Sequence, residues 1–147
     1  EKVARVHGES YPWTKAVREI FAGLETELTC HMEKEERVFF PMIRRLESGA
    51  PAGLGMQLSL EMPVQCLEAE HASVGRALEK MRSLTSDYAP PQGACNTTRA
   101  MLDGLAELEA DMHAHVHKEN NILFPKAVEL GRRQAIAEKA AMQGTMA

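Results

Sequence analysis

A fifteen-residue pattern that occurs twice constrains this chain more than any other feature. The first copy reads Glu27-Leu-Thr-Cys-His31-Met-Glu-Lys-Glu35-Glu-Arg-Val-Phe-Phe-Pro41. The second reads Asp111-Met-His-Ala-His115-Val-His-Lys-Glu119-Asn-Asn-Ile-Leu-Phe-Pro125, 84 residues later. Both obey acid-x3-His-x3-Glu-x5-Pro, with lysine just before the glutamate and phenylalanine just before the proline. Residues four apart on a helix lie one turn above each other. Each copy therefore presents an imidazole and a carboxylate in one direction, with a second acid a turn earlier. Donors of this kind, without thiolate, suit iron, manganese or zinc. Two glutamates on two helices can each bridge two ions, which a single-ion site would not require. The competing reading is a pair of solvated helix faces. It is disfavoured because apolar residues share the ligand side, and inward-facing ionisable groups need a partner.

The rest of the chain reads as helix. Val3 to His7 resembles a helix end, stopped by Gly8 and Ser10-Tyr11-Pro12. A long helix is expected from about Trp13 to Leu46. Its apolar positions Val17, Ile20, Phe21, Leu24, Leu28, Met32 and Phe39 recur at helical spacing. Pro41 predicts a bend or break near its last turns. Ser48 to Gly55 reads as a loop, and Pro63 fits the first turn of a helix running to about Leu84. After a Thr85–Gly93 connection, Asn96 or Thr97 should cap a helix reaching Phe124-Pro125 or beyond. Lys126 to Ala147 is expected as a weak helix that frays at its end. Period-two alternation is absent, so the class is all-α.

Counting the helical rise of about 1.5 Å per residue places His31, His71 and His115 at one depth, within loop uncertainty. His71 thus joins the site. His7 fails this test, because the level of His31 lies about 27 Å beyond the Gly8 turn. It reads as an end-of-helix residue or a cap on the helix dipole. His113 and His117 point about 200° around the helix from His115 and should be partly exposed, with a supporting contact to a ligand as the alternative. Glu27 and Asp111, one turn before the ligand histidines, and Glu70, beside His71, are candidates to accept a histidine N–H or to line a polar path to the metal. Their alternative is an ordinary solvated role.

The chain has 147 residues, enough for one domain with a real core. A net charge of -4 argues against nucleic-acid binding, which favours a basic face. No apolar run approaches the ~20 residues that span a bilayer. The charged stretch Glu1 to His7 does not read as a secretory signal. Cys30, Cys66 and Cys95 are odd in number and far apart, which suits free thiols in a reducing, cytoplasmic setting.

The chain resembles the hemerythrin-like family, specifically its di-iron proteins for repair of iron centres. The resemblance covers almost the whole chain. It is carried by His31-Met-Glu-Lys-Glu35-Glu, Pro90-Pro-Gln-Gly-Ala-Cys95-Asn-Thr and Glu119-Asn-Asn-Ile-Leu-Phe-Pro125. It implies an up-down four-helix bundle around two non-haem iron ions with carboxylate and oxo bridges. His31, Glu35, His71, His115 and Glu119 match the family's ligands, and His7 matches a recurring histidine. The resemblance divides the chain into a di-iron domain over 1–130 and a helical tail over 131–147. It also leads one to expect a first-helix histidine about 20 residues before His7, and a small domain with paired cysteines, neither of which stands in this sequence. An incomplete metal site, and a homodimer that covers the exposed flank, are the corresponding expectations.

The function so implied is repair of damaged iron–sulfur clusters under nitrosative or oxidative stress. Iron donation and nitric oxide reduction are its proposed activities, the latter making the chain an enzyme. Partners would be nitric oxide or dioxygen and damaged iron–sulfur proteins. The alternative is a hemerythrin-type protein that binds or senses oxygen or nitric oxide without turnover, which takes five histidines. A ferritin-like oxidase needs Glu-x-x-His on two helices, and only Glu68-x-x-His71 fits. A metal-free helical interaction module remains the plainest alternative.

Overall fold

The computed structural model describes residues 2–7, 11–49 and 59–144. Its helices are α1 (Lys2–His7), α2 (Trp13–Lys34), α3 (Phe40–Glu47), α4 (Glu61–Leu84), α5 (Asn96–Lys118) and α6 (Phe124–Gly144). Two π-helical turns, Glu35–Phe39 and Glu119–Leu123, join α2 to α3 and α5 to α6. No strand occurs among the described residues, so the chain is all-α.

Helix starts follow local chemistry. Tyr11 offers its carbonyl to the Thr14 N–H at 3.0 Å and to the Thr14 hydroxyl at 2.8 Å, opening α2. The Leu60 carbonyl accepts the Val64 N–H at 3.0 Å, which opens α4. Pro63 sits in the first turn, where a missing N–H leaves no gap in the helical ladder. Cys95, not Asn96 or Thr97, stands at the cap of α5. Its carbonyl takes the Arg99 N–H, and its thiol lies 3.4 Å from the Thr98 hydroxyl.

Beyond α4 the chain turns through three consecutive left-handed residues, Ser86, Asp87 and Tyr88, with φ of 52°, 64° and 59°. None is glycine, so the turn is strained. Thr85 holds it: its hydroxyl donates to the Met81 carbonyl at 2.8 Å and accepts the Tyr88 N–H at 3.1 Å.

The chain divides into two compact units, Glu1–Thr29 with Glu70–Val116, and Cys30–Ala69 with His117–Ala147. The first has a core of Val17, Leu24, Val74, Leu78, Met81, Tyr88, Leu102 and Leu105. The second is built on Phe39, Leu46, Leu60, Val64, Leu67, Phe124 and Ala127, with α3 packed on α6. Phe39 and Phe124 meet edge to face, with ring centroids 5.3 Å apart at 90°.

Several expectations change. Pro41 does not break its helix; the chain widens into a π turn just before it and continues as α3. Pro125 is passed in the same way, so the helix does run beyond it, and Lys126 onward is the body of α6. Of the expected core positions, Phe21 and Met32 are each 40% exposed. Phe21 instead lines an apolar cavity of about 450 Å³ with Ala4, Val17, Met101 and Leu105. Residues 8–10 of the first expected turn, 50–55 of the Ser48–Gly55 loop and the expected frayed end at 145–147 lie outside the described residues.

Candidate metal centre

The first copy of the repeat places His31 near the end of α2 and Glu35 at the start of the π turn that follows. Both are buried, His31 at 2% exposure and Glu35 at 0%, and His31 Nε2 stands 3.5 Å from Glu35 Oε1. The second copy places His115 in the last turn of α5 and Glu119 at the start of the second π turn. Glu119 is buried and His115 half-buried. His71, from the middle of α4, is buried and stands against His115, ring centroids 6.2 Å apart at 80°.

The structure brings these five side chains together: His31, Glu35, His71, His115 and Glu119 each offer one ligand atom within 4.8 Å of the others. The donors are three imidazole nitrogens and two carboxylate oxygens, with no thiolate among them. Deeply placed carboxylates are costly as ions unless positive charge compensates them, and a divalent cation supplies that charge at short range. Imidazole with carboxylate is a borderline-to-hard set that fits iron. On donor chemistry and proximity, the residues present fit the metal.

The remaining expected residues are not among the five clustered side chains. Glu27 is exposed and accepts a 3.1 Å hydrogen bond from the Ser73 hydroxyl of α4. Asp111 is exposed and Glu70 half-buried. His113 is 63% exposed and lies 3.8 Å from Glu109. His117 is exposed and pairs through Nδ1 with the Asn121 amide at 3.1 Å. His7 closes α1, and its side chain lies outside the described residues.

A third buried acid was not anticipated. Glu109 of α5 is 4% exposed and takes two 3.1 Å hydrogen bonds from Arg82 Nε, with Arg82 Nη2 at 2.9 Å. Burial pushes its carboxyl up, but hydrogen bonds from Arg82 and Tyr88 and the nearby guanidinium outweigh this and hold it below the usual range. Burial and the neighbouring Glu109 push the Tyr88 phenol up. Arg82 also pairs with Asp87 at 3.4 Å, so the group clamps the strained turn to α5. Its sequence signal was weak, since acids and arginines are common on helices.

The sequence profile of the hemerythrin HHE cation binding domain matches residues 1–127. Among curated proteins, the "Iron-sulfur cluster repair protein YtfE" of Yersinia pseudotuberculosis serotype IB (strain PB1/+) is 44% identical over 128 residues, 87% of this chain and 54% of that protein. The protein of the same name from Yersinia pestis (strain Pestoides F) is likewise 44% identical over the same shares. That of Yersinia pseudotuberculosis serotype O:1b (strain IP 31758) is 43% identical. The chain thus spans about half the length of the curated relatives it matches. A profile match over most of the chain, a helical fold and a clustered histidine–glutamate set agree: the chain belongs to the hemerythrin HHE cation-binding family, whose members bind non-haem iron.

Proposed function

We propose that His31, Glu35, His71, His115 and Glu119 hold a pair of iron ions, and that the protein serves the repair of damaged iron–sulfur clusters. The observation that carries this reading is the convergence of the five ligand atoms within 4.8 Å. The names of the relatives support the function. Glu35 and Glu119 each have two carboxylate oxygens, so each can span two ions from its own helix. His31 and His115, one turn earlier, fix the direction of those carboxylates, and His71 adds a third imidazole from α4. Bound iron would supply exchange between ferrous and ferric states and a position open to a diatomic such as nitric oxide or dioxygen.

His115 is the least buried of the five, which supports exchange of ions or small ligands on its side. Glu27, with its link to Ser73, and Glu70 are assigned to the polar path. Residues 1–130 form the di-iron domain and 131–147 its helical tail. No described helix is long and apolar enough to cross a membrane, and no disulfide joins the three cysteines. The same proposal puts the protein in the cytoplasm as a homodimer, acting under nitrosative or oxidative stress.

The test is incubation of the intact, anaerobically iron-loaded protein with an iron–sulfur enzyme inactivated by nitric oxide. Recovery of that enzyme's activity, abolished by Glu35→Ala or Glu119→Ala, is the expected result. Iron-loaded protein that binds nitric oxide reversibly but restores no activity would overturn repair in favour of sensing.

A further inference from the structure

The two π turns are the feature that the proposed function leaves unused. Each begins at a candidate ligand, Glu35 or Glu119, and each ends just before a Phe-Pro pair. Each is closed by a hydrogen bond spanning five residues: the Phe40 N–H donates to the Glu35 carbonyl, and the Phe124 N–H to the Glu119 carbonyl. Such turns add one residue to a helix and are frequent at functional sites.

Burial records that extra residue independently of the hydrogen bonds. On α2, buried positions recur every seven residues at Val17, Leu24 and His31. An unbroken register would bury residue 38 next. Val38 is instead 52% exposed, whereas Phe39 and Leu46 are 1% and 4% exposed. The second helix slips in the same way. Leu105 and Glu119 are two sevens apart and buried, and the next buried position in that series is Ala127 rather than the exposed Lys126. The turns therefore keep two faces aligned that a plain α-helix would rotate apart by about 100°. Upstream lie the histidine and glutamate. Downstream lie the side chains of the Phe39–Phe124 core.

The prolines explain why the turns sit where they do. In a regular helix the ring of Pro41 would meet the carbonyl of Arg37, and that of Pro125 the carbonyl of Asn121. Neither proline can donate the N–H that would continue the ladder. Widening the turn before each proline relieves the conflict. We propose that Pro41 and Pro125 are positioning residues: each locks a π turn that holds its ligand glutamate, Glu35 or Glu119, on the face shared with the upstream histidine and the downstream core. This role rests on the metal reading above, since it concerns the readiness of the two carboxylates for a metal ion.

The test uses Pro41→Ala and Pro125→Ala in the intact protein, with two readouts on each. Amide hydrogen exchange at Phe40 or Phe124 reports the turn. Titration with Co2+, followed by its visible absorption bands, reports the ligand set. Alanine favours helix, so the metal-free variants should melt no lower than the parent. The expected result is at least tenfold faster exchange at the affected phenylalanine, together with at least a tenfold rise in the Co2+ dissociation constant and altered bands. Deletion of Val38 removes the extra residue while leaving Phe39 and Leu46 in register. It should retain helical content and weaken Co2+ at least as much. A merely structural role would lower the melting temperature and leave the bands alone. Proline variants with accelerated exchange but the parent's Co2+ affinity and spectrum would overturn the proposal, as would exchange that does not change. A parent protein that takes up no Co2+ overturns the metal reading and the positioning role with it. That case is told apart by exchange that still depends on the prolines. If one proline variant fails to fold, the other carries the same test on its own turn.

Discussion

The edge-to-face pair Phe39–Phe124 ties the two π-turn helices together, and its contribution can be isolated. Both rings are 1% exposed, with centroids 5.3 Å apart at 90°. Phe→Ala at either position would remove about 3–5 kcal/mol. Two such losses would consume most of a typical domain stability of about 5–15 kcal/mol, so leucine is the better probe. Phe39→Leu or Phe124→Leu should each cost about 1 kcal/mol for changed packing. Each should also lose the ring–ring interaction, about 1 kcal/mol. The double variant loses that interaction only once. It should therefore cost about 3 kcal/mol, where independent sites would give about 4 kcal/mol. Urea unfolding of the metal-free protein, followed by circular dichroism, measures all four corners of the cycle. A coupling within about 0.3 kcal/mol of zero is what unlinked sites give, and it would refute the claim that the rings hold these helices together.

Three further outcomes follow from other parts of the molecule. The Glu109 carboxyl is held below its ordinary value of 4.5, so its contribution is present above that pH and lost as pH falls through the lower folded value. Glu109→Gln should therefore melt well below the parent near neutral pH, with the gap narrowing in acid; a gap that widens in acid contradicts the Arg82–Glu109 clamp. Removing metal with a chelator should lower the melting temperature, because ligand at about a thousand times its dissociation constant adds about 4 kcal/mol; identical melting with and without iron would count against a site in the folded state. Glu27→Leu should slow reaction of the iron-loaded protein with nitric oxide or reduce its iron content; parental values for both would remove Glu27 from the polar path.

Much of the site was legible because its chemistry follows helical spacing. Residues four apart share a face, so His31 with Glu35 and His115 with Glu119 could be paired from the sequence. His71 required only a count of helical rise. The π turns were not legible by the same rule, because a proline inside a helical pattern ordinarily signals a break. The signal was nevertheless present: the series Val17, Leu24, His31 and the series Phe39, Leu46 are out of step by one residue. Phe21 and Met32 fit the helical period but sit at its margin, where spacing alone cannot separate core from surface. The left-handed run at Ser86, Asp87 and Tyr88 carries no glycine to announce it. It is held locally by the Thr85 bonds and from a distance by the Arg82–Glu109 pair and the burial of Tyr88, and the distant part is not visible in local sequence.

Whether the five clustered side chains hold iron is decided by anaerobic titration of the metal-free protein with ferrous iron. The parent should bind iron saturably, up to two ions per chain. His31→Ala, His71→Ala, His115→Ala, Glu35→Ala and Glu119→Ala should each lower the stoichiometry or weaken binding at least tenfold, while exposed His113→Ala and His117→Ala should leave it unchanged. Iron binding that survives substitution of the five, or that falls only with His113 and His117, would contradict the account.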